Sequence, residues 1–91
     1  MKILISKDEL SFSSITCISL PSSLTEIGSK AFYLCSNLKT VKFASDSNLV
    51  SIGDEAFYHC QLKSIPIPSS VTRIESGAFL WCKSIKLNQL I

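Results

Sequence analysis

One phrase recurs three times in this chain, and that repetition decides most of what it can fold into. The copies are Ile27-Gly28-Ser29-Lys30-Ala31-Phe32-Tyr33-Leu34-Cys35, Ile52-Gly53-Asp54-Glu55-Ala56-Phe57-Tyr58-His59-Cys60 and Ile74-Glu75-Ser76-Gly77-Ala78-Phe79-Leu80-Trp81-Cys82. Ile, Ala, Phe and Cys keep their places in all three, while the slots between them vary. A unit this short cannot bury its apolar face alone, so repeated units must stack and share one continuous core. Ile27, Ile52 and Ile74 then form one ladder, and Phe32, Phe57 and Phe79 another.

Between the copies lies a second pattern, Leu38-Lys39-Thr40-Val41-Lys42-Phe43, which returns as Leu62-Lys63-Ser64-Ile65-Pro66-Ile67 and stands earlier as Ile15-Thr16-Cys17-Ile18-Ser19-Leu20. Its second half alternates apolar with polar, the period of a half-buried strand. The starts at Ile15, Leu38, Leu62 and Ile85 follow one another at intervals of 23, 24 and 23 residues. Pro21-Ser22-Ser23 and Pro68-Ser69-Ser70 are turns, and the longer Ala44-Ser45-Asp46-Ser47-Asn48 takes up the extra length in the middle copy. A period in the low twenties falls within the range of leucine-rich repeats, with one strand and one short helical or turn segment per coil.

The expected fold is therefore α/β: a short right-handed solenoid with parallel strands near 16–20, 39–43 and 63–67 on one wall. Short helical turns near 29–35, 54–60 and 76–82 form the other wall. Ser29, Asp54 and Ser76 would cap those turns, Gly28 and Gly53 would permit a tight bend before them, and 24–27, 49–52 and 71–74 would return the chain to the core. Residues 1–91 make one domain, with a degenerate coil over 1–14, three regular repeats over about 15–87 and an uncapped tail at 88–91. In the degenerate coil Leu4 falls where Ile27 sits, Phe12 where Cys35 sits, and Asp8 and Glu9 replace the Ala-Phe pair. In the last strand Asn88 falls at the position of Val41 and Ile65.

The phrase Pro-Ser-Ser-Leu/Val-Thr-x-Ile-Gly-x-x-Ala-Phe-x-x-Cys-x-x-Leu-Lys-x-Ile/Val, running from about 15 to 87, resembles the BspA-like leucine-rich repeat family. The resemblance implies a surface or interaction protein engaged in adhesion and partner binding, with no catalytic residues and no cofactor.

Several function classes lose support on composition. Seven acidic residues stand against nine Lys and Arg, for a net charge of +2, and no window carries a basic run, so nucleic acid is not an expected partner. No apolar stretch approaches the roughly 20 residues needed to span a bilayer. Met1-Lys2-Ile3-Leu4-Ile5 lacks the apolar region of an export signal.

The cysteines admit more than one role. Cys35, Cys60 and Cys82 share one repeat position and read as a ladder of small buried apolar groups; a disulfide and a metal site are the alternatives. No Cys-x-x-Cys pair is present, and His59 is the only histidine, so no metal ligand set is assigned. Cys17 falls at an outward strand position. His59 shares a variable slot with Leu34 and Trp81 and has no nucleophile or orienting partner in the pattern, so no catalytic residue is assigned. Tyr33, Tyr58 and Trp81 lie on or near the turn face, either packed between coils or forming a contact surface.

Two candidate surfaces follow. The strand wall presents Ser19, Lys42 and Pro66 in one column and Thr40 and Ser64 in another, where a protein partner would dock. The C-terminal coil ends in Leu87-Asn88-Gln89-Leu90-Ile91 with no charged cap, although terminal coils normally carry a polar outer face. Leu87, Leu90 and Ile91 are therefore candidates for self-association into a homo-oligomer. The expected function is a protein-binding module, with a self-assembling structural unit as the alternative.

Overall fold

The alternation read in Thr40–Phe43 becomes a strand because its two faces meet different surroundings. Val41 is buried on the core side, and Thr40 and Lys42 are exposed on the other. The same logic repeats along the chain. The computed structural model describes residues 4–5, 10, 14–82 and 86–89, with side chains for 10 and 14–82. Its strands are β1 (Leu4–Ile5), β2 (Cys17–Leu20), β3 (Glu26–Ile27), β4 (Thr40–Phe43), β5 (Ser51–Ile52), β6 (Ser64–Ile67), β7 (Arg73–Ile74) and β8 (Lys86–Gln89). All pairings are parallel. The four-residue strands β2, β4, β6 and β8 make the expected wall. The two-residue strands β1, β3, β5 and β7 make a second sheet where only a returning segment was expected.

The core between these sheets is the stack of repeat positions. Ile27, Ile52, Ala31, Ala56, Phe32 and Phe57 have no exposed surface. The rings of Phe32 and Phe57 lie 5.1 Å apart and those of Phe57 and Phe79 5.4 Å apart, nearly parallel in both pairs.

The third side of each coil differs from expectation: among the described residues there is no helix. Residues 29–35, 54–60 and 76–82 run instead as linked turns whose backbone amides alternate between two directions. Ala31, Tyr33 and Cys35 donate three residues back within their own coil, to Gly28, Lys30 and Phe32. Lys30, Phe32 and Leu34 donate across to the carbonyls of Asp54, Ala56 and Tyr58 in the next coil. An α-helix would turn most of these amides onto carbonyls of its own coil and leave this face of the coils joined by side chains alone. The alternation requires left-handed residues at Lys30 and Leu34, at Glu55 and His59, and at Trp81, with φ of 56° to 64°. Each costs roughly 1–2 kcal/mol for an L-residue, offset at Lys30, Leu34, Glu55 and His59 by the bond that the same residue's amide makes to the next coil.

The expected caps serve the same purpose. The Ser29 hydroxyl donates to the Asp54 carbonyl at 3.1 Å, and the Asp54 carboxylate accepts from the Gly77 amide at 3.0 Å. Both tie one coil to the next instead of closing a helix end. Gly53 has no positive φ. Its requirement is close approach, since a Cβ there would sit 2.5 Å from the Ser29 nitrogen and 2.7 Å from the Gly28 carbonyl carbon.

Register corrects the sequence alignment at both ends. Ile5, not Leu4, pairs with Ile27, and Leu10 takes the place of Phe32: its amide donates to the Ala31 carbonyl just as that of Phe32 donates to Ala56. Phe12, Asp8 and Glu9 lie outside the described residues. At the other end Ser64 pairs with Lys86 and Ile65 with Leu87. The last interval is thus 22 residues, and Asn88 stands opposite Pro66, not Ile65. The last interval equals the 22 residues from Ile52 to Ile74 and from Cys60 to Cys82, so the invariant positions carried it, and the weak apolar pattern starting at Ile85, read apart from them, misplaced the strand by one residue.

Candidate functional site

The wall is not one continuous sheet. β2 pairs with β4 and β6 with β8, but β4 and β6 lie side by side without a ladder. Pro66 explains the break, because it has no amide hydrogen to give. A depression of about 450 Å³ opens there, lined by Lys39, Thr40, Val41, Lys42, Phe43, Ser64 and Pro66. Four of the five wall residues expected from the sequence therefore meet in one place. Thr40, Lys42 and Ser64 are exposed and Pro66 is half-buried, while Ser19 is exposed one strand away on β2. Val41, buried in the core, lies at the floor. The break was visible in principle: a proline inside a strand pattern marks a place where pairing fails.

Of the candidate self-association residues, Leu87 lies among the described residues. Leu87 is opposite Ile65 by register, a position that belongs to the core column in the coil before. Leu90 and Ile91 lie outside the described residues. The apolar surface that the structure does expose near the C-terminal end comes from earlier residues: Ile74 at 40%, Leu80 at 48% and Trp81 at 63%. Sequence reasoning missed Ile74 because its twins Ile27 and Ile52 are wholly buried.

On the turn face Tyr33 and Tyr58 stack with centroids 4.7 Å apart, and the Lys30 ammonium lies 5.1 Å from the centre of the Tyr33 ring. These tyrosines are inter-coil packing; Trp81, in the left-handed slot shared with Leu34 and His59, is the one turned out to solvent.

The cysteine ladder has a polar role that its apolar reading did not contain. Cys35 donates to the Leu10 carbonyl at 3.0 Å, Cys60 to Phe32 at 3.5 Å and Cys82 to Phe57 at 2.8 Å. Each thiol thus meets the coil before it, and the Phe32 and Phe57 carbonyls that accept from Cys60 and Cys82 also accept the backbone amides of Cys35 and Cys60 within their own coils. The side-chain hydrogen bond with Cys82, and then burial, push the Cys60 thiol far above its ordinary range, and the same bond draws Cys82 down. Cys60 therefore stays protonated as a structural thiol. Cys17 is exposed on β2, as expected. Among the described residues no group of three or more His, Cys, Asp or Glu is placed to hold a metal ion, and no helix is long and apolar enough to cross a membrane.

A ladder of Ile, Ala-Phe and Cys positions stacked in parallel coils is the geometry of one repeat type. The model of a BspA-type leucine-rich repeat region, in six copies, matches residues 4–90. The chain belongs to the BspA-type leucine-rich repeat family. This is a non-catalytic repeat family whose domains are interaction or repeat modules. The chain is similar to the crystal structure of the pneumococcal vaccine antigen PcpA, with 34% identity and a TM-score of 0.91 over 96% of its own length and 22% of the antigen's. It is also similar to a leucine-rich repeat protein from Bacteroides capillosus, with 29% identity and a TM-score of 0.84 over 97% of this chain and 63% of that one. The chain thus spans less than two thirds of either structure. No curated protein matches it. In this BspA-type chain the wall at β4 and β6 carries Thr40, Lys42 and Ser64 exposed to solvent.

Proposed function

We propose that this BspA-type domain is a protein-interaction module whose partner docks on the strand wall over the break between β4 and β6. The observation that carries the reading is the depression at Pro66, where Thr40, Lys42 and Ser64 present unshared polar groups above a fully packed floor. A rigid scaffold with a concave, mixed polar and apolar patch is what recognition requires. An adhesion-related role for that contact rests on the resemblance to the BspA-type family.

The test is to select peptides from a random library on the immobilised full chain and map them by amide shifts on the labelled protein. Shifts centred on Thr40, Lys42 and Ser64 are expected, and Thr40→Trp, which fills the depression, should abolish binding while leaving the unfolding midpoint in place. Selected peptides that shift only the turn face around Tyr58 and Trp81 would overturn the reading.

A second reading, self-assembly into a homo-oligomer, is favoured by the apolar surface at Ile74, Leu80 and Trp81. Light scattering across a wide concentration range under reducing conditions tests it. The expected result is a mass above that of one chain that falls back when Ile74→Glu and Trp81→Glu are combined, with Leu90→Glu and Ile91→Glu as a second set. A single-chain mass at every concentration sinks it.

A further inference from the structure

The near-neutral net charge of +2 conceals a separation in space. Lys39 and Lys42 line the depression. Lys63 is exposed in the next coil, in the repeat position of Lys39. Lys86 joins the Thr40 and Ser64 column by register. No Asp or Glu occurs in 16–20, 38–43, 62–67 or 86–89, so the wall carries positive charge alone. The acidic residues among the described ones lie elsewhere: Glu26 is on β3 of the other sheet, Asp54, Glu55 and Glu75 are on or beside the turns, and Asp46 is in the loop after β4. The ion pairs of the described residues follow the same division. Lys30 meets Glu55 at 3.9 Å and Arg73 meets Glu75 at 2.8 Å, both away from the wall. Lys39, Lys42 and Lys63 have no carboxylate partner among the described residues.

We infer that the wall's partner is an acidic protein segment in extended conformation, a proposal that rests on the reading of the wall as the interaction surface. Charge complementarity selects the occupant. Side chains two residues apart in an extended peptide project on one face about 6.6–6.8 Å apart, and neighbouring strands lie about 4.8 Å apart. Carboxylates at alternate positions therefore reach ammonium groups on one strand and on its neighbour, where charged hydrogen bonds are stronger than neutral ones. The Thr40 and Ser64 hydroxyls serve the same anions, and a small apolar side chain fits over Pro66. A nucleic acid fits less well. Single strands are held by stacking on aromatic faces, and the ring bordering the depression, Phe43, is half-buried with its side chain packed against the core. A four-residue strand is also only about 13 Å long.

The experiment uses the full chain and three labelled probes read by fluorescence anisotropy: a peptide alternating Glu with Ala, its Gln isostere, and an oligothymidylate. Expected is binding of the Glu peptide at least about tenfold tighter than the Gln peptide, weakening as salt rises. Lys42→Glu and Lys63→Glu should each weaken it by about tenfold, and Arg73→Glu, the same charge change on the other sheet, by less than about twofold. Amide shifts with the Glu peptide should centre on Thr40 and Ser64. Equal affinity for the Gln isostere with shifts still on the wall overturns the acidic class and leaves the interaction surface standing. Oligothymidylate bound as tightly as the Glu peptide overturns the proposal in favour of nucleic acid. Peptide binding that shifts no wall residue overturns both the proposal and the reading beneath it.

Discussion

Ile52 and Ile74 occupy the same place in successive coils and have different surroundings. Ile52 is sealed between β3 and β7, whereas β7 is the last strand of its sheet and Ile74 is two-fifths exposed. Phe57 lies between two rings; Phe79 meets one ring and is only partly buried. The amides of Phe32 and Phe57 reach carbonyls of the following coil, while among the described residues those of Phe79 and Trp81 meet none. Side-chain identity is the same in each comparison. What a repeat position contributes is thus set by having a coil on both sides, as expected where stability is a sum of unit and neighbour terms.

The contrast breaks first at the phenylalanines. Phe57→Ala should cost about 3–5 kcal/mol and Phe79→Ala about half of that, read from urea midpoints; equal costs would mean the last coil is as well supported as the middle one. Ile52→Ala should cost about 2–4 kcal/mol, and Ile74→Ala no more than about 1 kcal/mol, given the area it already exposes. Thiol alkylation followed by mass spectrometry sharpens the picture. Cys17 should react at once, and Cys82 about tenfold faster than Cys35 or Cys60, a difference of about 1.4 kcal/mol in local opening. A reversed order would place the weaker coil in the middle. The smallest effect is expected at His59→Gly, which relieves a left-handed backbone and should raise stability by about 0.5 kcal/mol, less than the full strain because glycine is freer when unfolded. No gain would mean that inter-coil bonds hold this φ without strain.

The sequence was most informative where one residue type had to fill a buried site in every coil. The Ile, Ala, Phe and Cys ladders, the three wall strands to within one residue, and the outward Thr40 and Lys42 were all legible in it. The turn face was not. A helix and a run of turns with alternating amides place the same side chains inward, and they differ in which carbonyl receives each amide, a choice made by the neighbouring coil. The second sheet escaped notice because a two-residue strand is too short to show a period. The gathering of Lys39 and Lys42 with Lys63 and Lys86 was hidden by spacing: lysines of successive coils lie more than twenty residues apart in the chain and look like scattered charges until the coils are stacked. The thiol bonds lay beyond pattern as well, since a cysteine that only fills space and one that also donates occupy the same slot.

The alternating amides on the turn face also give that face of the stack a sense of direction. Every cross-coil amide from Lys30, Phe32 and Leu34, and from Glu55, Phe57 and His59, points toward the later coil, and every thiol bond points back. Around β5 and β7 the direction reverses: the amides of Val50, Gly53 and Glu75 reach back to the carbonyls of Thr25, Ile27 and Ile52 in the coil before. Each broad face of a coil therefore donates along one edge and accepts along another, and neighbouring coils are held by bonds that run both ways along the axis.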